Sequence, residues 1–478
     1  MLTGEIDPPA TTLIGMPNGP AAGELVAGRL PRAGAATIAV LLCGLTLLAA
    51  FWNKARCAGA PFREDGRSVA FDLFKDSRVC YSDIQFLWLG RDIDQHVFPY
   101  IHGGITGDGA LVGGAVEYPV LSGLLMWVGA LRADNDAMFL LHSALLLAPF
   151  ALLTAWMLGR MAGWPALLWA AGPPLVLYAF HNWELPVVCT AVAAVYVMTM
   201  LPRCSLRTRA VLAAALLAIG FCLKLYPGIF VLPLMAYVLT GGADATGTGL
   251  RDRRFDIRGA LLTGAAALAT VVAINLPFAL AGYEGWRASF TFQQLRQADI
   301  TTNSIWYWGL RPLFGPAAVD EENFQQVVSG ASPALILLSF VLAMWLGWRR
   351  FSTTGVFPWV GVSGAMLCGF LLFHKVHSPQ YTLWIIPFLV LLRVPWTLVG
   401  AYLVADAAIG VGVFRYFYAL GTGNSVELTE AIVQFGVWGR AGLLLVLFFV
   451  FVRAAPRVER PAVPPAPRRD SGELVPVG

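Results

Sequence analysis

The chain has 478 residues, 57% hydrophobic and only 13% charged, with a formal net charge of +4 and a mean hydropathy of +0.66. Soluble domains carry roughly 25% charged residues, so this composition excludes a soluble globular protein and indicates a polytopic membrane protein. The small positive excess, with no basic run interleaved with aromatics, argues against a nucleic-acid partner, and the lack of a P-loop or a dinucleotide glycine motif argues against an ATP-driven pump.

In chain order, residues 1–32 are polar and rich in proline and glycine, which predicts a disordered cytoplasmic segment rather than a secretory signal. The first apolar run, AGAATIAVLLCGLTLLAAFW at 33–52, is long enough to span, and Arg29 and Arg32 ahead of it place the N-terminus inside. A long outer loop, 53–136, follows. Further spans are expected at 137–158, 164–180, 184–201, 210–223, 227–240, 259–280, 331–348, 355–373, 380–393, 396–414 and 432–452. This makes an all-α bundle of about 12 transmembrane helices, occupying 33–452 with both termini cytoplasmic. Residues 453–478 read as a second disordered cytoplasmic tail. The arginines at 203–209, 251–258, 348–350, 393 and 453 all fall inside on this count. EYPVLSGLLMWVGAL at 117–131 would break the parity, and ~22 Å of helix is short of a ~30 Å core, so it is expected to lie at the outer interface or to re-enter.

The topology gathers the polar motifs on the outer side, as expected of a multi-pass protein of the plasma membrane with an extracytoplasmic site. Only four lysines occur, at 54, 75, 224 and 375. Lys224 in LKLYP and Lys375 in FHKVHSPQY sit at the apices of two hairpins whose arms are too short for a comfortable crossing. A charge at such depth costs ~2.5–3.5 kcal/mol on insertion scales and usually faces a cavity or a partner. Two such lysines point to an anion site, to which His374, His377 and Gln380 can add hydrogen bonds, with Tyr226 and Tyr381 lining it.

The first loop carries Cys57 and Cys80, the two cysteines placed outside, which form a disulfide candidate worth ~3 kcal/mol on the chain-entropy model; two free thiols are the alternative. Directly after Cys80 comes Tyr81-Ser82-Asp83-Ile84. Asp83 at the water–lipid boundary could act as a general base on a sugar hydroxyl, or Ser82 and Asp83 could simply cap a helix. Glu117, with Tyr118 beside it, and Glu184 in HNWE, with Asn182, are outer carboxylate and amide groups that could bind hydroxyls or be solvated. His96 and His102 read as loop residues, and Asp406 in the eleventh span has no assigned role. No His, Cys and Asp cluster has metal-ligand spacing. No cofactor is required; a divalent cation could be carried by substrate phosphate.

Taken together, YSDI and FPY in the first loop, then EYPVL, KLYP and KVHSPQYTLWIIP, resemble the integral-membrane glycosyltransferases of family 87 over roughly 33–452. These are actinobacterial members of the C superfamily that use polyprenyl-phosphate mannose. The resemblance implies a GT-C-like helical bundle, a catalytic aspartate in the first outer loop, here Asp83, and inversion at a lipid-phosphate sugar. It also implies a polyprenyl-phosphate sugar donor, a glycolipid or cell-wall glycan acceptor, and contact with membrane lipid. Glu184 stands where an aspartate would be expected. Lys224 and Lys375 would then meet the departing phosphate, and aromatics of SIWYWGLRPLF, Trp306 among them, would stack on sugar. The competing readings are a lipid or solute transporter, a noncatalytic scaffold, and arabinofuranose in place of mannose.

Overall fold

The computed structural model describes residues 32–245 and 255–458. The expected terminal segments lie outside the described residues except for Arg32 and the stretch from Arg453 to Val458, where Arg457 donates its backbone N–H to Leu391 and its Nε to Leu392.

The chain forms α1 (Arg32–Ala55), α2 (Val69–Phe74), α3 (Asp83–Phe86), a two-stranded antiparallel ribbon of β1 (Gly104–Ile105) and β2 (Leu111–Val112), α4 (Val120–Ala130), α5 (Asp136–Ala162), α6 (Leu167–Ala170) and α7 (Pro173–Tyr178). It continues through α8 (Glu184–Met200), α9 (Leu206–Leu223), α10 (Val231–Leu239), α11 (Ile257–Ala281), α12 (Tyr283–Leu295), α13 (Ala318–Thr354), α14 (Trp359–Phe373), α15 (Thr382–Leu391), α16 (Trp396–Thr422) and α17 (Glu427–Arg453). Among the described residues, seven helices are long and apolar enough to cross a membrane: α1, α5, α9, α11, α13, α16 and α17. The described chain is a mostly helical, multi-pass membrane bundle.

Two populations of helix divide the work. The long helices lie outside, with leucines such as Leu41, Leu268 and Leu338 facing outward, as lipid contact requires. The apolar helices inside are short: α8, α14, and α10 and α15 with the 3₁₀ turns Tyr226–Phe230 and Pro379–Tyr381 that precede them. All ten residues of α15 are buried, against α5, α6, α7, α8 and α14. A helix hydrophobic on every side belongs in the centre. Because the central helices stop short at one end, the bundle is hollow there.

One expected span is not a continuous helix. Residues 164–180 form a 3₁₀ turn, then α6, then α7, broken at Ala171–Gly172. Pro173 and Pro174 explain the break, since proline lacks an amide donor and disfavours helical geometry in the residue before it. The run at 117–131 contains the eleven-residue α4, ~16 Å long and too short to cross. It packs on α5 and α9, and its Ser122 donates to the carbonyl of Leu223 at 2.6 Å.

Candidate active site

The first loop is held at several points. Cys57 and Cys80 are bonded, Cα–Cα 6.1 Å, and both are buried beside Phe71. Arg67 donates to the carbonyl oxygens of Gln85 and Phe86 and approaches Asp136 at the start of α5. Lys54, buried in the last turn of α1, donates to the carbonyl of Tyr81 at 2.7 Å. Tyr81 stacks on Phe414 of α16.

These contacts fix Asp83. Its amide donates to the carbonyl of His181 at 2.7 Å, and Ser82 Oγ donates to Phe180 O at 2.7 Å. Ser82 therefore makes no side-chain cap on α3. The carboxylate of Asp83 instead accepts from Asn182 Nδ2 at 2.7 Å and Gln380 Nε2 at 3.5 Å, with His181 Nε2 3.9 Å away. Asn182 Oδ1 accepts from the amide of Trp183, which turns its NH2 toward Asp83 and Tyr118 Oη, each at 2.7 Å. Burial holds the His181 imidazole well below its usual range, helped by the charges of Lys54 and Lys224, so it is neutral. The Asp83 side chain keeps 22% exposure and opens onto a cavity of about 600 Å³.

Of the residues named from sequence, Asp83, Glu117, Tyr118, Asn182, Lys224, Tyr226, His374, Gln380 and Tyr381 line this cavity. Their roles differ from expectation in several places. Lys224 reaches the cavity but is ion-paired with the fully buried Glu184, whose second oxygen accepts from Trp384 Nε1 at 2.6 Å. The ammonium lies 5.3–5.5 Å from the ring centres of Tyr118, Tyr381 and Trp384, a cation–π cage. Glu184 is thus a counter-ion behind the wall and not a hydroxyl ligand. Glu117 is held by Arg91 at 2.7 and 3.2 Å.

Lys375 does not join the cavity lining: its Nζ donates to Gln294 O at 3.0 Å. The two apical lysines therefore do not converge on one anion. His377 also stands behind the wall, its amide on Thr302 O at 2.6 Å and its ring against Tyr381. Trp306 is buried among Ala298, Phe324 and Val328, because its indole N–H finds the terminal carbonyl of α14 at Phe373, 2.8 Å away.

Three cations missed from sequence line the cavity: Lys75, beside Asp76, Arg91, on Glu117, and Arg296, which follows α12 and whose Nε is buried without a hydrogen-bond partner while its Nη2 lies 3.4 Å from Thr301 Oγ1. Ser289, Gln293 and Arg296 all line the cavity, and their spacing of four and three is that of one helical stripe, a signal present in the sequence. Among the described residues no three His, Cys, Asp or Glu side chains form a metal cage.

The site defined here is a polar pocket at one end of a membrane bundle, with a positioned carboxylate facing cationic and aromatic walls. The family model for mannosyltransferases of the PIG-M type matches residues 187–411, from the first turn of α8 into α16, and so covers Lys224, Arg296 and 374–381 but not Asp83. No curated protein matches the chain. Among solved structures it is similar to ArnT from Cupriavidus metallidurans bound to undecaprenyl phosphate, at 14% identity over 88% of this chain and 78% of that one, with a TM-score of 0.41.

Proposed function

We propose that the protein is a membrane-embedded inverting glycosyltransferase that moves mannose from a polyprenyl-phosphate donor to a lipid-linked or envelope-glycan acceptor on the extracytoplasmic face. The observation that carries the reading is Asp83. It is a carboxylate held by two amides in the lining of a large pocket that Arg296 and the caged Lys224 also line. Mannose is preferred to arabinofuranose because the matched family model is one of mannosyltransferases. Membership of family 87 remains part of this proposal, resting on the motifs in the sequence.

In this reading the donor phosphate lies against Arg296 and Lys224 with its tail in lipid. The acceptor hydroxyl enters beside Asp83, its oxygen attacks the anomeric carbon, and the bond from that carbon to the phosphate oxygen breaks. The proton passes to Asp83, and the electron pair leaves on the polyprenyl phosphate, whose charge the cations stabilise. One displacement inverts the centre, so a single carboxylate suffices. A transporter would require polar groups to continue through the bundle, whereas the space below the Tyr226–Trp384 stack is lined by Val188, Val192, Leu217, Phe230, Phe388 and other apolar side chains.

The test is transfer from radiolabelled polyprenyl-phosphate mannose in proteoliposomes. Asp83→Asn should reduce kcat by about 10²–10⁴-fold, the usual share of a general base, with an unchanged melting temperature. Near-normal transfer by that variant would remove Asp83 from the chemistry.

A further inference from the structure

Asp406 lies buried in the middle of α16. Its Oδ2 accepts from Tyr178 Oη at 3.1 Å, and its Oδ1 accepts from Thr382 Oγ1. Arg440 of α17, equally buried, supplies the counter-charge, with Nη1 3.6 Å from Oδ1. Tyr402, one turn earlier on α16, places its hydroxyl 3.4 Å from Thr382 Oγ1.

The two hydroxyls that Asp406 receives belong to the two chain segments that hold Asp83. Tyr178 ends α7, and its carbonyl accepts from the amide of His181; the next residues supply Phe180 O to Ser82, His181 O to the Asp83 amide, and Asn182 to the carboxylate. Thr382 begins α15 directly after the turn that bears Gln380 and Tyr381. Gly410, one turn beyond Asp406, leaves the space for Tyr178 Oη, which any Cβ there would overlap. For packing alone, apolar residues of similar volume serve as well as a buried ion pair or better. Two loops that must meet at one carboxylate need a shared anchor.

We propose that Asp406, with Arg440, is a positioning centre for sugar transfer, fixing Asn182 and Gln380 against Asp83 by holding Tyr178 and Thr382 on its two carboxylate oxygens. The inference rests on Asp83 as the base. Asp406 touches no substrate; it acts through the two amides, and a displacement of about 1 Å at a reacting group can cost up to ~100-fold in rate.

A double-mutant cycle separates positioning from general stability. Tyr178→Phe and Thr382→Val each remove one hydroxyl without leaving a new charge, and each should lower kcat about 5–20-fold with donor KM within about twofold. Thr382→Ser, which keeps the hydroxyl, should restore the wild-type kcat. In a Gln380→Ala background Thr382→Val should cost less than about twofold more, and likewise Tyr178→Phe in an Asn182→Ala background. Gly410→Ala, which displaces the Tyr178 ring while keeping every polar group, should behave as Tyr178→Phe. Equal losses in both backgrounds, or lower melting temperatures with unchanged kcat, would overturn the proposal. Asp83→Asn run in the same vesicles distinguishes the failures: if it retains transfer the base assignment has failed, and if only the cycle is additive the anchor has.

Discussion

Lys224 and Lys375 show how far a residue's neighbours outweigh its position in sequence. Both sit at hairpin apices, yet Lys224 turns inward to Glu184 and three rings, and Lys375 turns away to a backbone carbonyl. Lys224 already shares its charge with Glu184, so of the two cations proposed to meet the phosphate Arg296, in the cavity lining, carries the larger part of the binding. A hydrogen bond to a charged group is worth ~1.5–3 kcal/mol, so Arg296→Ala should lower kcat/KM for the donor about 10–100-fold, and Lys375→Ala should stay within about twofold; Michaelis kinetics against donor concentration decide between them. Three histidines near the site, His181 and His377 buried and His374 partly so, carry a pH dependence. Burial pushes His181, His374 and His377 below their usual 6.5, most strongly at His181 and His377, with nearby cations adding to it. As pH falls below about 6.5 the unfolded chain takes up these protons before the folded one does, so stability declines from there toward the lower folded-state values. Melting temperature followed from pH 7.5 to 5 should fall, and His377→Gln, which leaves the cavity wall intact, should flatten the fall.

At the scale of elements, length and hydropathy were enough to locate most of the bundle, because a segment that must satisfy its backbone within lipid has few options beyond a helix. The spans at 33–52, 137–158 and 259–280 correspond to α1, α5 and α11 almost residue for residue. At 164–180 apolar content outweighed Gly172-Pro173-Pro174, and the break there is what lets α7 end at Asp406. Side-chain direction was less legible: Asp83, Asn182 and Gln380 were each picked out, but nothing in their spacing says that one carboxylate oxygen receives both amides across 99 and 297 residues. The crosslink shows how such long-range geometry is kept. It joins cysteines 23 positions apart around α2 and ends three residues before Asp83, and on the chain-entropy model contributes ~3 kcal/mol. Removing it in Cys57→Ser/Cys80→Ser should lower the melting temperature and cut kcat more than donor KM, because the donor wall from Arg296 to Trp384 lies on other elements; kinetics of the double variant in proteoliposomes test both parts.

At the scale of the whole molecule, the hollow exists because α8, α14 and α15 are too short to reach the surface their longer neighbours reach, and every polar group proposed for chemistry gathers at that end. Which side of the membrane that end faces follows from charge, provided the right loops are counted. The first loop holds Arg56, Arg63, Arg67, Lys75, Arg78, Arg91 and Arg132 at the cavity end, but a loop longer than ~60 residues crosses largely regardless of its charge. Among the shorter connectors the excess is at the opposite end: Arg203, Arg207 and Arg209 before and within the first turn of α9, Arg258 in the first turn of α11, Arg349 and Arg350 near the end of α13 and Arg393 after α15, against Arg287, Arg296 and Arg311 between α11 and α13 and Lys375 between α14 and α15. The cavity should therefore open outward. Asp108, exposed at the tip of the β1–β2 ribbon, and Thr353, exposed in the last turn of α13, mark the two ends. With Cys204, the one free cysteine not fully buried, changed to serine, a membrane-impermeant maleimide should label Asp108→Cys in intact cells and Thr353→Cys only after permeabilisation. The reverse pattern would put the pocket in the cytosol, where a soluble nucleotide sugar could serve as donor and the lipid-phosphate reading would lose its main physical reason.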